Sequence, residues 1–413
     1  MLNLLKIAIR NLIRSWRRTF LTAGLITIGV VAVLLFTSLA GSFKGLMIGQ
    51  FTDSITGHLE IHAKGYVASI DNLPLTLDMD PAMTARAETA LKSAPAIVAY
   101  APRIKFAAMF SNFAETTGVR VNGIDPARED ATLPLLKTRI AAGEAEGLLR
   151  KGQILIPDLL ANGMNVKLGD TVVLVATNKD GSVNGQTFVV RGILSGLNGP
   201  GGRDSYIHIE DARHILRLPD GEANEIVVRT KELGDVAPVV ASLSATLAAP
   251  GDADRPFFEV HRWDQLTPFA TVARMIDLLT VFIKVILVSI VLISVMNVMI
   301  MAVYERIREI GTIAAIGTPP RRILGLFLTE GLLLSVFGTV LGVVLSLGAI
   351  LALNLRTVSF AFGQQDHIVL APTIGASDVV SACIVVIVVA SLASLQPAWK
   401  AARMDPIAAL RHV

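Results

Sequence analysis

Cysteine is almost absent: Cys383 stands alone among 413 residues, so no disulfide can form within the chain, whatever compartment it faces. Charge is scarce as well. Asp, Glu, Lys and Arg make up 17% of the residues, against roughly 25% in ordinary soluble domains. Hydrophobic residues reach 52%, and mean hydropathy is +0.59. A net charge of +3 is too small for a nucleic-acid footprint. G-x-x-x-x-G-K-[ST], H-E-x-x-H and G-x-S-x-G are all missing, so no nucleotide-phosphate loop, zinc-protease helix or hydrolase elbow is expected. No internal repeat and no low-complexity linker interrupts the chain.

The apolar residues are concentrated in four runs, about Phe20 to Ala40, Leu278 to Val303, Ile323 to Leu353 and Val379 to Leu395. Each is close to or above the roughly 18–20 residues that cross a bilayer core. A buried globular helix could explain one such run; four with so few charges predict an integral membrane protein. Lys6, Arg10, Arg14, Arg17 and Arg18 precede the first run with no acid among them, Arg306, Arg308, Arg321 and Arg322 follow the second, and Lys400, Arg403 and Arg411 follow the fourth. By the positive-inside rule both termini and the 304–322 loop are expected in the cytoplasm, with 46–270 and 354–378 outside. The first run is longer than the ~7–15 residues of a signal-peptide core, so an uncleaved anchor is expected.

Residues 2–18 have an amphipathic period, with Leu5, Ile9, Leu12, Ile13 and Trp16 on one face and the cations on another. That pattern suits a helix lying in the headgroup layer. The outer segment mixes strands and helices at short spacing: "MDPAMTARAETALK" opens on Asp-Pro like a helix start, and "IVAYAPRIKFAAMF", "GVRVNGI" and "NEIVVRT" alternate like strands. An α+β domain of two lobes is expected, one lobe built from about 50–125 plus 220–270.

Chemistry-bearing residues are few. His58 and His62 in "GHLEIH" share a strand face, but with no third ligand in view they read as surface histidines rather than a metal site. "GLNGPGGRD", 196–204, lacks the strand–loop–helix frame of a phosphate cradle and reads as a flexible loop. Within the spans, Lys284 sits within snorkelling reach of the outer interface. Glu330 lies about two turns into the third span, where pairing with a basic residue of the first helix competes with a functional role. Asn297 is placed to hydrogen-bond across helices, and Gly338 to Gly342 form a G-x-x-x-G motif for close packing in the third span or across a dimer.

One dense charge cluster, "VYERIREIGTIAAIGTPPRR", lies between two apolar runs, at Val303 to Arg322. Tyr304 to Ile316 are predicted to continue the second span as a helix. Ile307, Ile310, Ala314 and Gly317 fall at helical spacing, Gly317 caps the end, and Pro319-Pro320 stop it. Gly311 and the alanines leave a notched face suited to close approach by another protein.

"ERIREIGTIAAIG" resembles the signature loop of ABC-transporter permeases of the MacB/FtsX-like superfamily, which includes the lipoprotein-releasing LolC/LolE permeases. "LKIAIRNLIRSWRRTFLT" at the start, "VNGIDP" at 121–126 and "QPAWKAARMDPIAALRHV" at the end are similar to that family's entry, outer-domain and closing motifs. "ITGHLEIHAKGY", 55–66, is most similar to the lipoprotein-releasing branch. The resemblance implies a four-helix α-helical membrane protein with a large α+β extracytoplasmic domain between helices one and two. It also implies a dimer with a second permease protomer, itself or a sister subunit, and a separate cytoplasmic ATPase dimer that carries ATP and Mg; this chain would bind no cofactor and catalyse no reaction. The coupling role falls on Glu305, Arg306, Arg308, Glu309, Ile310, Gly311, Ile316 and Gly317. Where the chaperone-recruiting member has a long hairpin hook, this chain has the short polar "ATNKDGSVNGQ", so recruitment of a periplasmic chaperone is not implied.

The expected layout is a cytoplasmic amphipathic helix (1–18), spans at 19–45, 271–303, 321–353 and 378–396, an outer domain at 46–270 and a coupling loop at 304–320. A short outer loop (354–377) and a cytoplasmic tail (397–413) complete it. The expected function is extraction or export of a lipoprotein or other amphipathic substrate from the bacterial inner membrane. Lateral entry would be lined on span one by Leu35, Phe36, Leu39, Phe43 and Met47, and on span two by Leu278, Phe282 and Ile286. A scaffold that transmits force to a periplasmic hydrolase or efflux partner, without cargo, is the alternative; membrane lipid is an expected contact and nucleic acid is not.

Overall fold

The computed structural model describes residues 2–14, 16–144, 146–195, 204–248, 258–266, 269–356, 358–362 and 365–411. The glycine-rich loop at 196–203 lies outside them, as do the side chains of Arg18 and Arg411. The chain divides into two compact units, Met1–Gly45 with Met275–Phe360 and His367–Val413, and Leu46–Arg274 with Ala361–Asp366.

Helix α1 (Leu2–Arg14) is followed by α2 (Trp16–Phe51), which runs on through a π-helical turn at Thr52–Thr56. Then come β1 (Leu59–Ala63), α3 (Pro81–Ser93), β2 (Ile97–Ser111), β3 (Thr116–Ile124), α4 (Pro126–Thr132), β4 (Ile140–Gly143) and β5 (Gln153–Pro157). The domain continues with α5 (Asp158–Gly163), β6 (Thr171–Thr177), β7 (Val183–Leu194), β8 (Asp204–His208), α6 (Ile209–Leu216), β9 (Glu225–Thr230), α7 (Val236–Leu247) and β10 (Phe258–Arg262). Helix α3 starts where the Asp-Pro signal puts it: the Asp80 carboxylate accepts the Met83 N–H at 2.7 Å and Pro81 takes the first helical position.

The two lobes expected from the sequence correspond to two apolar cores, but they share one sheet. One mixed sheet of ten strands carries the whole domain, in the order β10-β1-β9-β2-β3-β8-β5-β7-β4, with β6 pairing both β2 and β7. The 15-residue β2 makes this possible: its first half pairs with β9 and its end, Met109–Ser111, with β6. Two apolar cores lie on that shared sheet. One gathers Phe106, Phe110, Val121, Ile154 and Phe188 with α6; the other gathers Leu59, Ile61, Ile226 and Val228 with α3 and α7. Between β6 and β7 the chain turns in five residues, with Asn178 accepting from Ser182 N–H at 2.9 Å through its side chain.

The other unit adds α8 (Phe269–Glu305), α9 (Ile307–Ala315), α10 (Pro320–Leu355), α11 (Ala376–Ala402) and α12 (Pro406–Arg411), and between α10 and α11 the chain forms a hairpin of β11 (Val358–Phe362) and β12 (Gln365–Leu370). Four of its helices, over Thr19–Thr56, Thr271–Glu305, Pro320–Leu355 and Ala376–Ala402, are long and apolar enough to cross a membrane. They pack through Ile26, Val30 and Leu34 of α2, Val291, Val295 and Met299 of α8, Phe327 and Leu334 of α10, and Val386, Ala390 and Ala393 of α11. Small residues on α10 set the spacing. A Cβ on Gly338 would lie 2.8 Å from Ile26, one on Gly342 2.6 Å from Val30, and one on Gly331 2.7 Å from Ser394. The G-x-x-x-G motif thus serves contact with α2 of the same chain. The hairpin was not expected, and α11 passes through Pro397 to Ala402, beyond the predicted end of the fourth span.

Candidate functional site

The charged segment between α8 and α10 is where the structure departs most from the predicted pattern. A continuous helix from Tyr304 to Ile316 was expected; α8 instead stops at Glu305 and Arg306 leaves the helical region at φ −110°, ψ 18°. Its side chain explains the break. Arg306 Nη1 reaches Glu330 Oε1 at 3.0 Å and Oε2 at 3.1 Å, Nε reaches Glu309 Oε2 at 2.9 Å, and Cζ lies 5.6 Å from the Phe327 ring centre. Glu330 is buried, and its Oε1 also accepts from Asn11 Nδ2 of α1 at 2.8 Å. A carboxylate in an apolar bundle is costly unless paired and hydrogen-bonded, and here three elements converge on it. The basic partner expected from the first helix is therefore corrected to Arg306, with Asn11 as a neutral donor.

The second correction concerns the notch. Ile307, Ile310 and Gly311 are buried, and α12 lies against Gly311: a Cβ there would come 2.8 Å from Ala409 Cβ and 3.5 Å from the Pro406 carbonyl. Asp405 starts α12, accepting the Ile407 N–H at 2.9 Å through its carboxylate and the Ala409 N–H at 2.9 Å through its carbonyl. The notched face is spent on the chain's own C-terminal helix. Facing outward are Ile313, Ile316 at 80% exposure and Ile407 at 67%, with Glu305, Arg308 and Glu309 also exposed. The end of α9 follows the predicted chemistry: Gly317 adopts φ +93°, its N–H donates to Ala314, and Thr318 N–H donates to Ile313. That is a Schellman closure, and Pro320 opens α10. Lys400 Nζ donates to Tyr304 Oη at 2.9 Å, tying α11 to the end of α8.

Of the proposed lining, Leu35, Phe36, Leu39 and Phe43 lie on α2, none of them fully exposed, and Leu278, Phe282 and Ile286 are exposed on α8. Met47 is buried, which removes it from a lining role. Lys44 Nζ pairs with Asp277 at 2.6 Å, joining α2 to α8 beside Phe43 and Leu278. Lys284 is half-buried, and Asn297 lies on the exposed face of α8 instead of bonding to a neighbouring helix of its own chain.

In the domain, the two histidines are not on the surface, which corrects that expectation. His58 Nδ1 accepts the Thr230 N–H at 3.2 Å, and its Nε2 lies 3.5 Å from Asp53. His62, fully buried, stacks on Tyr66 with 5.1 Å between ring centres. Its Nε2 lies 3.3 Å from Glu60 Oε2 and 3.5 Å from Glu225 Oε2. The pairing of β1 with β9 creates this cluster, which no local motif announces. Glu60, His62 and Glu225 have donor atoms within 4.8 Å of one another, close enough for a cation. The surrounding charge argues for a proton instead. Glu225 is already held by Lys105 Nζ at 2.6 Å and Arg103 Nη1 at 3.1 Å, and Arg103 also pairs with the buried Glu129. Glu60, Glu129 and Glu225 against Arg103, Lys105 and an imidazolium balance three to three. Burial pulls the His62 imidazole down, but Glu225 and Glu60 outweigh it and raise its pKa to about 9. Burial alone would raise Glu225, yet Lys105, His62 and Arg103 hold it well below the usual carboxylate range.

Known proteins share both parts of this architecture. Residues 19–246 match the model of the MacB-like periplasmic core domain, and residues 281–406 that of the FtsX-like permease C-terminal region. The chain is similar to the lipoprotein-releasing system transmembrane protein LolC of Neisseria meningitidis serogroup B, 25% identical over 94% of this chain and 92% of that protein. It is similar also to the pyoverdine export ATP-binding/permease protein PvdT of Pseudomonas syringae pv. tomato, 33% identical over 54% of this chain and 33% of that protein. Among solved structures, the periplasmic region of MacB from Actinobacillus actinomycetemcomitans aligns with a TM-score of 0.34 and 12% identity, over 53% of this chain and 92% of that one.

Proposed function

The chain belongs to the ABC permease family defined by a MacB-like periplasmic core domain and an FtsX-like permease C-terminal region, and on that premise we propose that it couples a separate ATPase to the release of a lipidated or amphipathic substrate from the inner membrane. The observation carrying the coupling half is the segment after α8, broken at Arg306, clamped to α10 through Glu330 and to α12 through Gly311. A segment so fixed passes a push on its outer surface into the spans as rigid-body motion. Both termini and this segment lie in the cytoplasm and the ten-stranded domain in the periplasm, following the cation distribution. ATP and Mg belong to the partner chain. A second permease protomer completes the unit.

The lipid-linked half rests on the similarity to LolC along nearly the whole chain and on the apolar, exposed Leu278, Phe282 and Ile286. The similarity to a pyoverdine export protein keeps a cargo other than a lipoprotein within the same reading.

The two halves are tested separately. Ile316→Asp, at an 80% exposed position, is expected to abolish co-purification of the ATPase subunit while the permease still inserts; undiminished co-purification overturns the docking assignment. A photoreactive residue at Phe282 in reconstituted vesicles is expected to capture lipidated protein or an amphiphile during ATP turnover. Capture of bulk phospholipid alone overturns the cargo assignment.

A further inference from the structure

We propose that the groove between α1, the start of α2 and α10 is a binding site for one anionic phospholipid, distinct from the substrate path. The groove has a volume of about 470 Å³ and is walled by Ile9, Ile13, Trp16, Phe20, Leu334 and Phe337. Thr19, also in the wall, turns its hydroxyl away to the Leu12 carbonyl at 2.8 Å. That volume lies within the ~300–1,000 Å³ of ligand sites, and a wall this apolar, with the Trp16 indole N–H as its one side-chain donor besides Thr19, selects hydrocarbon.

The groove is a built feature of the bundle. Ala8 of α1 is buried, Leu12 packs against the bundle core, and Asn11 is fixed by Glu330. At about 100° per residue, Ala8 and Leu12 face α10, Ile9 and Ile13 come next around the helix, and Lys6, Arg10 and Arg14 follow beyond them. Those three cations are exposed. Arg17 adds a fourth at the rim, its Cζ 5.7 Å from the ring centre of Trp16, which lines the groove. No acidic residue occurs among the first eighteen. Charge therefore names the occupant: a hydrocarbon chain in the groove with a negative headgroup over the cations, which are attracted to an anionic surface. A zwitterionic lipid would fill the groove but leave the cations with little net attraction. The candidate cargo lining is far away, since Phe20 and Phe36 are separated by roughly 24 Å along α2.

The test uses the full chain, purified in mild detergent, with phosphatidylglycerol and phosphatidylethanolamine as probes and native mass spectrometry as the readout. One phosphatidylglycerol per protomer is expected to survive delipidation, and phosphatidylethanolamine is expected to be lost. Arg10→Gln, Arg14→Gln and Arg17→Gln together should weaken phosphatidylglycerol binding by about tenfold or more. Ile13→Asp, at a position 70% exposed and so tolerated by the fold, should abolish retention without shifting the melting profile. Equal retention of the two lipids, or unchanged binding by the triple variant, overturns the proposal. So does an Ile13→Cys cross-link between protomers, which would give the groove to a helix of the second copy.

Discussion

Arg306 and Glu330 are bound at 3.0 and 3.1 Å through one guanidinium nitrogen and both carboxylate oxygens, which ties the residue where α8 ends to the buried face of α10. The pair acts as a joint: Arg306 gives up helical geometry to make it, and the Asn11 amide adds α1 to the same carboxylate.

Removing one side of that joint leaves the other uncompensated. Glu330→Gln should destabilise the purified permease by about 3 kcal/mol, the usual scale for breaking a buried pair from one side. Because the Arg306 side chain is 16% exposed, part of that loss is recovered by hydration. Arg306→Met with Glu330→Leu should restore most of the melting temperature, since an apolar pair of similar volume costs little, yet ATP-driven release should stay impaired. If the double variant recovers release as well, the joint serves stability only.

Gly311 and Ala409 give a second test. A Cβ on Gly311 would come to 2.8 Å from the Ala409 Cβ, so Gly311→Ala should push α12 off α9 and cost about 1–3 kcal/mol as an overpacked contact. Ala409→Gly should relieve it. The expected outcome is reduced ATPase co-purification for Gly311→Ala and recovery in the pair. Equal co-purification by all three forms would separate α12 from the coupling surface.

How much of this was readable beforehand follows from the range of each interaction. The four long apolar helices, the Asp80-Pro81 start of α3 and the Gly317 stop of α9 are local, written within a few residues, and the structure carries all of them, with two of the helices, α2 and α11, running several residues beyond their expected bounds. The helix break at Arg306 has no glycine or proline to announce it; its cause sits 24 residues away in Glu330. The filling of the Gly311 notch depends on Ala409 in the tail. His62 and Glu225 meet only because β1 pairs with β9, a non-local contact that strand patterning alone cannot register. The single sheet was hidden for a related reason. Alternation marks β2 as a strand, but not that its two ends serve two different cores.

The Arg103 hub predicts the steepest loss in the domain. It is fully buried and bonds Glu129, Glu225 and the Ile55 carbonyl, the last at 2.7 Å. Arg103→Ala strands the buried Glu129 carboxylate, takes one cationic side chain from Glu225 and should cost about 3–5 kcal/mol. Arg103→Lys, with a single point charge in place of the fork, should recover only part. Melting of the full chain reads both, and a loss under about 1 kcal/mol for Arg103→Ala would contradict the network.

His62 supplies a pH dependence whose sign can be worked out. Its pKa rises from 6.5 to about 9 on folding, so the folded chain holds a proton there that the unfolded chain releases. That contribution is complete below pH 6.5 and is lost as pH climbs through 9. Glu222 adds a fall of the same sign at lower pH: burial and Asp78 raise it from 4.5 to about 7, outweighing Lys179. Glu225, held low, acts oppositely, contributing above its ordinary 4.5 and losing its effect in acid. The melting temperature should therefore decline from about pH 6 to pH 9, with the part above pH 7 belonging to His62. His62→Gln should flatten that upper part and leave the fall below pH 7 in place. A variant that keeps the full slope between pH 7 and 9 would show that His62 is neutral in the folded domain, and the cluster's charge balance would then have to be met by a cation other than a proton.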